Sequence, residues 1–388
     1  MGKNRGVVMN KKIIVITILS IVTGLVLLNS VKTKDIEVEK TQKQVNNSNM
    51  LTMMLETEAG TGNYEETTAS EWPQEGFVFN ASLSRCENGG TLSWDEEAKK
   101  VIMKSNSSDK CYVYFDKYNP TFAEYIINTV YTSDGANGLY YHDGVGTYTN
   151  ASEEAGDNSY RYSGANPNNY VCFGSDAATC PNDNLYRIIG LFDEDQDGTY
   201  NIKLIKNTSI RDYDWDSEFD NTWNSSTKPD IRTTLNSTFF GTINSTWQEK
   251  ISEHSWKIGG MAYGELTTAK EYYNTEIGSS SSNTTDSMKV GLMYVSDYGY
   301  AAAPSNWTTA LRDYDSATNT NWLYLGSNEW TISRRSDNTH SAFYVSSRGF
   351  VNTDNVAGPG AVSPAFYLES SVVLTGGTGN SSDPYKIA

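Results

Sequence analysis

One apolar run, Ile13 to Leu28, follows Lys3, Arg5, Lys11 and Lys12, and everything after it is polar, acidic and rich in Gly, Asn, Ser, Thr and Tyr. The chain is thereby divided into a segment suited to hydrocarbon and a long body that must fold in water. A basic flank ahead of an apolar run marks a chain for export. Extended to Val31, the run approaches the ~20 residues needed to cross a bilayer. A cleavable signal wants a shorter apolar stretch and a small-residue exit. Here the exit reads Leu28-Asn29-Ser30-Val31-Lys32, with a small residue at only one suitable place. A retained signal anchor is the expected reading, and a cleaved signal with a secreted body is the alternative. Residues 1–12 then form a basic cytoplasmic lead, 13–31 a transmembrane helix, and the C-terminal bulk lies outside.

The formal charge is −17, and the lead contributes four positive charges and no negative ones, so the exported body is more acidic still. Such a surface repels phosphate backbones, which argues against nucleic acid as a partner. Aromatic residues make up 12% of the chain, enough to build a substantial core. Cys86, Cys111, Cys172 and Cys180 all fall in the exported part. An even count in an oxidising compartment reads as two disulfides. Four cysteines allow three pairings, and proximity favours Cys86–Cys111 and Cys172–Cys180. A four-thiolate metal site is the rival, but the chain has no pair with the C-x₂-C spacing.

Residues 32–50 have mixed charge and few large apolar side chains, and they read as a stalk, in part helical. Residues 51–118 carry short strand-like runs at Phe77-Val78-Phe79, Thr91 to Trp94, Lys100 to Met103 and Cys111 to Phe115, separated by turn-rich stretches. That spacing predicts a small β-domain, tied by Cys86–Cys111. Residues 119–388 mix both periods. Phe122, Tyr125, Ile126 and Val130 share a face of a helix over Thr121–Tyr131. Leu185 to Phe192 and Tyr200 to Ile205 flank Asp193-Glu194-Asp195-Gln196-Asp197-Gly198 as a β-hairpin. Helices are expected at Pro229–Phe239, Ser245–His254 and Thr267–Thr275. Strands are expected at Val290–Tyr300, Trp330–Arg334, Ala342–Arg348 and Ala361–Glu369. The fold class is therefore α+β.

Several segments carry a resemblance. "PNNYVCFGSDAATCPNDNLYRIIGLF" (Pro167 to Phe192) with "KLI" (Lys203 to Ile205) resembles a domain in exported proteins of gut Gram-positive bacteria, a family of unknown function. "EWTISRRSDN" (Glu329 to Asn338), "SPAFYL" (Ser363 to Leu368) and "GGTGNSSDPYKI" (Gly376 to Ile387) are similar to the same group. So is the leading unit "CENGGTLSW…DKCYVYFD", and the likeness runs from about Leu51 to the end. It implies a C-type-lectin-like architecture in residues 119–388, shared with the formylglycine-generating enzymes. Two departures qualify that implication. Relatives commonly carry Arg where this chain has Ser363, so any carboxylate or ligand held by that Arg is left without it. No Cys follows Cys180, so the cysteine chemistry of the formylglycine-generating enzymes is not supported. The Glu-Pro-Asn and Trp-Asn-Asp signatures of calcium-dependent sugar binding are missing as well.

Two clusters are candidate sites. Asp193, Asp195 and Asp197, followed by Gly198, have the alternate-carboxylate spacing of a calcium loop. An EF-hand would need Glu at the position of Leu204, and the competing reading is an acidic turn in which Asp and Gly supply the geometry. Arg334 and Arg335, beside Trp330, could clamp an anion. Strand alternation instead sends one Arg inward to a buried acid and the other to solvent. His142, His254 and His340 have no ligand spacing, and no local pattern singles out a catalytic pair of carboxylates.

The sequence thus predicts a membrane-tethered extracellular binding or adhesion protein that recognises a glycan or a surface protein. A carboxylate-dependent hydrolase of cell wall or polysaccharide is the first rival. A structural subunit of a surface appendage is the second.

Overall fold

The computed structural model describes residues 34–37, 44–45 and 49–388, apart from positions 70, 74–75, 106–107, 146–149, 225, 265–267 and 279–282. The basic lead and the expected transmembrane run lie outside the described residues. Among those described, no helix is long and apolar enough to cross a membrane. The fold is mixed α+β and dominated by strands. It forms two compact units, the first ending at Asn119 and the second running from Pro120 to Ala388.

In the first unit, strands at Phe77–Phe79, Thr91–Asp95, Lys100–Ser105 and Lys110–Lys117 fall where the alternation places them. Asn49–Glu56 adds a long strand parallel to Lys110–Lys117. Lys34–Glu37 pairs with Lys100–Ser105, and Gln44–Val45 with Asn49–Glu56. These described parts of the expected stalk are therefore strands of the first unit and not helix. Two sheets share one core, with Val101 and Met103 on one side and Leu51, Met53, Val113 and Phe115 on the other. Cys86 and Cys111 are bonded directly across neighbouring strands.

The second unit is built around a nine-stranded sheet. Its centre is the expected hairpin, Leu185–Phe192 with Asn201–Lys206. These strands are buried along nearly their whole length, Arg187, Lys203 and Lys206 included. The register slips between Ile188 and Gly190. A side chain at 190 would meet the Tyr160 carbonyl at 2.6 Å, so only Gly lets the neighbouring strand close in. Ala365–Tyr367 and Tyr170–Cys172 extend the sheet on either side of the hairpin, and Tyr385–Ile387 joins it in parallel with Tyr170–Cys172. A second, six-stranded sheet runs through Arg211–Asp214, Pro359–Val362, Glu329–Arg335, Ser341–Val345 and Val351–Asn355. Cys172 and Cys180 are bonded, closing a loop at one end of the first sheet.

Helices at Phe122–Tyr125, continuing as a wider turn over Ile126–Val130, at Asp230–Thr233 running on to Phe239, and at Ala269–Glu276 match their expected places. The helix from Ser245 stops at Gln248, and His254 begins a strand instead. The larger correction concerns Val290–Tyr300. Only Val290–Gly291 is strand, and Val295–Ala301 is a helix. Every residue of that helix is buried, so it shows no polar face to give a helical period.

Candidate functional site

The second unit holds a cluster of buried charge that connects its sheet to the Val295–Ala301 helix. Lys203 and Asp297 have side chains about 1% and 0% exposed, with Lys203 Nζ 2.6 Å from Asp297 Oδ2. The same oxygen accepts the Tyr294 N–H at 2.8 Å. The ammonium sits among rings, 4.3 Å from the centre of Tyr294, 4.9 Å from Trp256 and 5.4 Å from Tyr367. Arg161 Nη2 meets Asp157 Oδ2 at 2.7 Å, and its Nε donates to Ser159 Oγ at 2.9 Å. The guanidinium packs on Phe192, Tyr300 and Tyr273. Beside it, His142 Nδ1 accepts the Ala155 N–H at 3.0 Å. Burial, reinforced by the Arg161 charge, pushes the imidazole down to about 3, so His142 is neutral.

Burial works against every charge in this cluster. It pulls Lys203 below its ordinary value, with Asp297 opposing. At Asp157 burial works against the carboxylate, but Arg161, His142 and the Ser159 hydroxyl together outweigh it and hold the group below the usual range. Two cations face two anions, and each carboxylate has a cation at 2.6–2.7 Å. The arrangement locks strand, loop and helix together, and its charged groups already have partners. The only trace of it in the sequence was a lysine inside the apolar strand Asn201–Lys206.

A cleft of about 380 Å³ lies where Asp157, Phe192, Lys257 and Tyr273 meet the tip of the central hairpin, at Asp193, Glu194 and Gln196. Asp193 accepts the amides of Asp197 and Gly198 at 3.1 and 3.0 Å, and Asp197 accepts that of Thr199 at 2.8 Å. Asp193, Asp195 and Asp197 do not converge. Among the described residues the only three-ligand gathering is Cys86, Asp109 and Cys111, whose sulfurs are already bonded to each other. The carboxylates of Asp193 and Asp197 accept the amides of their own turn.

The clamp expected at Trp330, Arg334 and Arg335 is not assembled either. Trp330 is buried, donates to the Tyr213 carbonyl at 3.0 Å and packs on Tyr344. Arg335 turns outward and grips Asp337 with both fork nitrogens, at 2.9 and 2.7 Å. Its hydrogen bonds hold the Asp337 carboxyl down to about 2. Arg334 is half-buried on the other face, but no carboxylate of the described residues lies within ion-pair distance, and its Nε has no partner. The inward arginine thus lacks the buried acid expected for it. A buried acid does exist nearby on the same strand. Glu329 accepts the hydroxyls of Ser327 at 2.6 Å and Ser363 at 3.1 Å, and burial pushes its carboxyl upward. Ser363 is therefore a neutral donor to the buried Glu329 carboxylate.

A groove of about 450 Å³ opens beside the Cys172–Cys180 loop. Gly174, Asp183 and Asn184 come from the loop region, Lys206 to Ile210 from the end of the central hairpin, and Phe239 to Asn244 from the end of a helix. Phe173, Tyr186, Tyr213 and Phe239 give it aromatic surface. The hydroxyls of Thr208, Ser209 and Thr238 also line it and make no hydrogen bond within the described residues. Lys206, 7% exposed, donates to the Asp183 carbonyl and lies 5.3 Å from the centre of the Tyr186 ring. The sequence reading missed this groove, because its residues come from three distant segments; the polar run Lys206-Asn207-Thr208-Ser209 right after an apolar strand was the available sign. No family model, no curated protein and no solved structure matches this chain.

Proposed function

We propose that the protein is a membrane-tethered extracellular binding protein that recognises a glycan in the groove beside the Cys172–Cys180 loop, on a C-type-lectin-like scaffold. The observation that carries this reading is the lining of that groove: aromatic surface interleaved with uncommitted hydroxyls and a lysine ammonium. A sugar ring has apolar faces and a polar rim, and this is the surface that suits it. The volume falls within the ~300–1,000 Å³ of small-ligand sites. Two disulfides suit a protein that works outside the cytoplasm. The lectin-like scaffold is supported by the resemblance and by the meeting of the second unit's first helix with its late strands, where Phe122 N donates to the Val372 carbonyl at 2.7 Å.

The test is a glycan array probed with the full chain and with two groove variants. Tyr213→Ala removes aromatic area and should weaken binding about three- to tenfold. Ser209→Trp fills the groove and should abolish binding, while Asp195→Ala, at the acidic turn, should leave it unchanged. Binding that survives Ser209→Trp would move the site elsewhere.

A further inference from the structure

Lys206 and Arg187 are buried cations of the second unit with no carboxylate at ion-pair distance among the described residues, but Arg187 spends its donors on Asn169 Oδ1 and the Trp322 and Pro167 carbonyls. Lys203 and Arg161 each contact a carboxylate at 2.6–2.7 Å. Lys206 is 7% exposed, yet its ammonium has only the Asp183 carbonyl as hydrogen-bond partner, and no carboxylate of the described residues lies within ion-pair distance. A buried charge is ordinarily neutralised by a counter-charge, and here it faces a groove large enough for a small ligand. A second observation points the same way. Arg211 is exposed, makes no ion pair within the described residues and lies 5.8 Å from the centre of the Tyr213 ring on the groove wall. Strand alternation puts Arg211 and Tyr213 on one face and Asp212 and Asp214 on the other. A chain of net charge −17 thus places two cations with no carboxylate at ion-pair distance at or beside one groove, where the Asp183 charge reaches Lys206 only from further off.

We infer that the groove selects acidic sugars, with the carboxylate of a uronic or sialic acid residue completing the coordination of Lys206. The sugar ring packs on Tyr213, and its hydroxyls meet Thr208, Ser209 and Thr238. This rests on the glycan reading above and narrows its substrate class. A charge-assisted hydrogen bond to a buried ammonium discriminates strongly, because the neutral analogue leaves the cation unpaired.

The experiment measures binding of the full chain to matched pairs that differ only in charge. The probes are oligogalacturonate against its methyl ester, and sialyllactose against lactose, with sulfated lactose as a third anion. The carboxylated member should bind about tenfold or more tightly. That advantage should survive Lys206→Arg and fall to within about twofold in Lys206→Met, at an unchanged melting temperature. It should also shrink in the unmodified protein between about 0.05 and 0.5 M salt, a readout independent of any folding defect. Equal binding of both members, or an advantage untouched by Lys206→Met, overturns the acidic preference while leaving glycan recognition in place. A preference for sulfated lactose over every carboxylate overturns the carboxylate assignment. Binding of neither member of either pair defeats both readings together.

Discussion

Two buried acids make the protein's stability depend on pH in the direction opposite to ordinary paired carboxylates. Glu276 accepts the amides of Val295 and Ser296, both at 2.9 Å, and the hydroxyl of Ser333. Burial pushes its carboxyl up to about 6, with those hydrogen bonds pulling the other way. Between pH ~4.5 and ~6 the native state therefore holds a proton that the unfolded chain has released, and stability falls as pH rises. The loss from this group alone is about 2 kcal/mol. Thermal unfolding of Glu276→Gln should show that slope flattened between pH 4.5 and 6. Glu329 has the same sign, because burial raises its carboxyl while the Ser327 and Ser363 hydroxyls oppose that only in part. Glu329→Gln should raise the melting temperature at pH 8 and leave it nearly unchanged at pH 4. Neither acid was singled out in the sequence, since burial and partners arise from residues tens of positions away.

At the scale of elements, the central hairpin was legible because two apolar runs bracket a turn-rich acidic loop. The Val295–Ala301 helix was not, and its burial explains both the misreading and its importance. Asp297 holds the Tyr294 amide at its start and Lys203 on the sheet. Lys203→Met alone leaves Asp297 buried without its closest cation and should cost about 3–5 kcal/mol in denaturant unfolding. Adding Asp297→Asn to that variant should recover a substantial part of the loss. Additive losses would show that the two groups do not act as a pair. The disulfide pairing was equally legible, from proximity in sequence. Loop-closure entropy assigns ~3.5 kcal/mol to Cys86–Cys111 and ~2.5 to Cys172–Cys180. Yet removing the second bond, by Cys172→Ser with Cys180→Ser, should do more damage to ligand binding, because its loop borders the groove.

For the molecule as a whole, composition and charge carried well: the acidic balance, the two disulfides and the α+β class are properties of the entire chain. The candidate site did not carry, because a groove is a relation between distant segments. Each unit has its own hydrophobic core. Calorimetry should accordingly resolve two unfolding transitions, and the lower or upper one alone should shift when Cys86 and Cys111 are both replaced by Ser. In the second unit, Thr121 bridges to Val373, which also exchanges hydrogen bonds with Ala388, at 3.0 Å from the Ala388 amide. Entry and exit therefore flank a single strand, two strand spacings or roughly 10 Å apart. A short peptide could join them and the chain be reopened at an exposed turn such as the hairpin tip, so this unit is built as a cassette that circular permutation should leave folded.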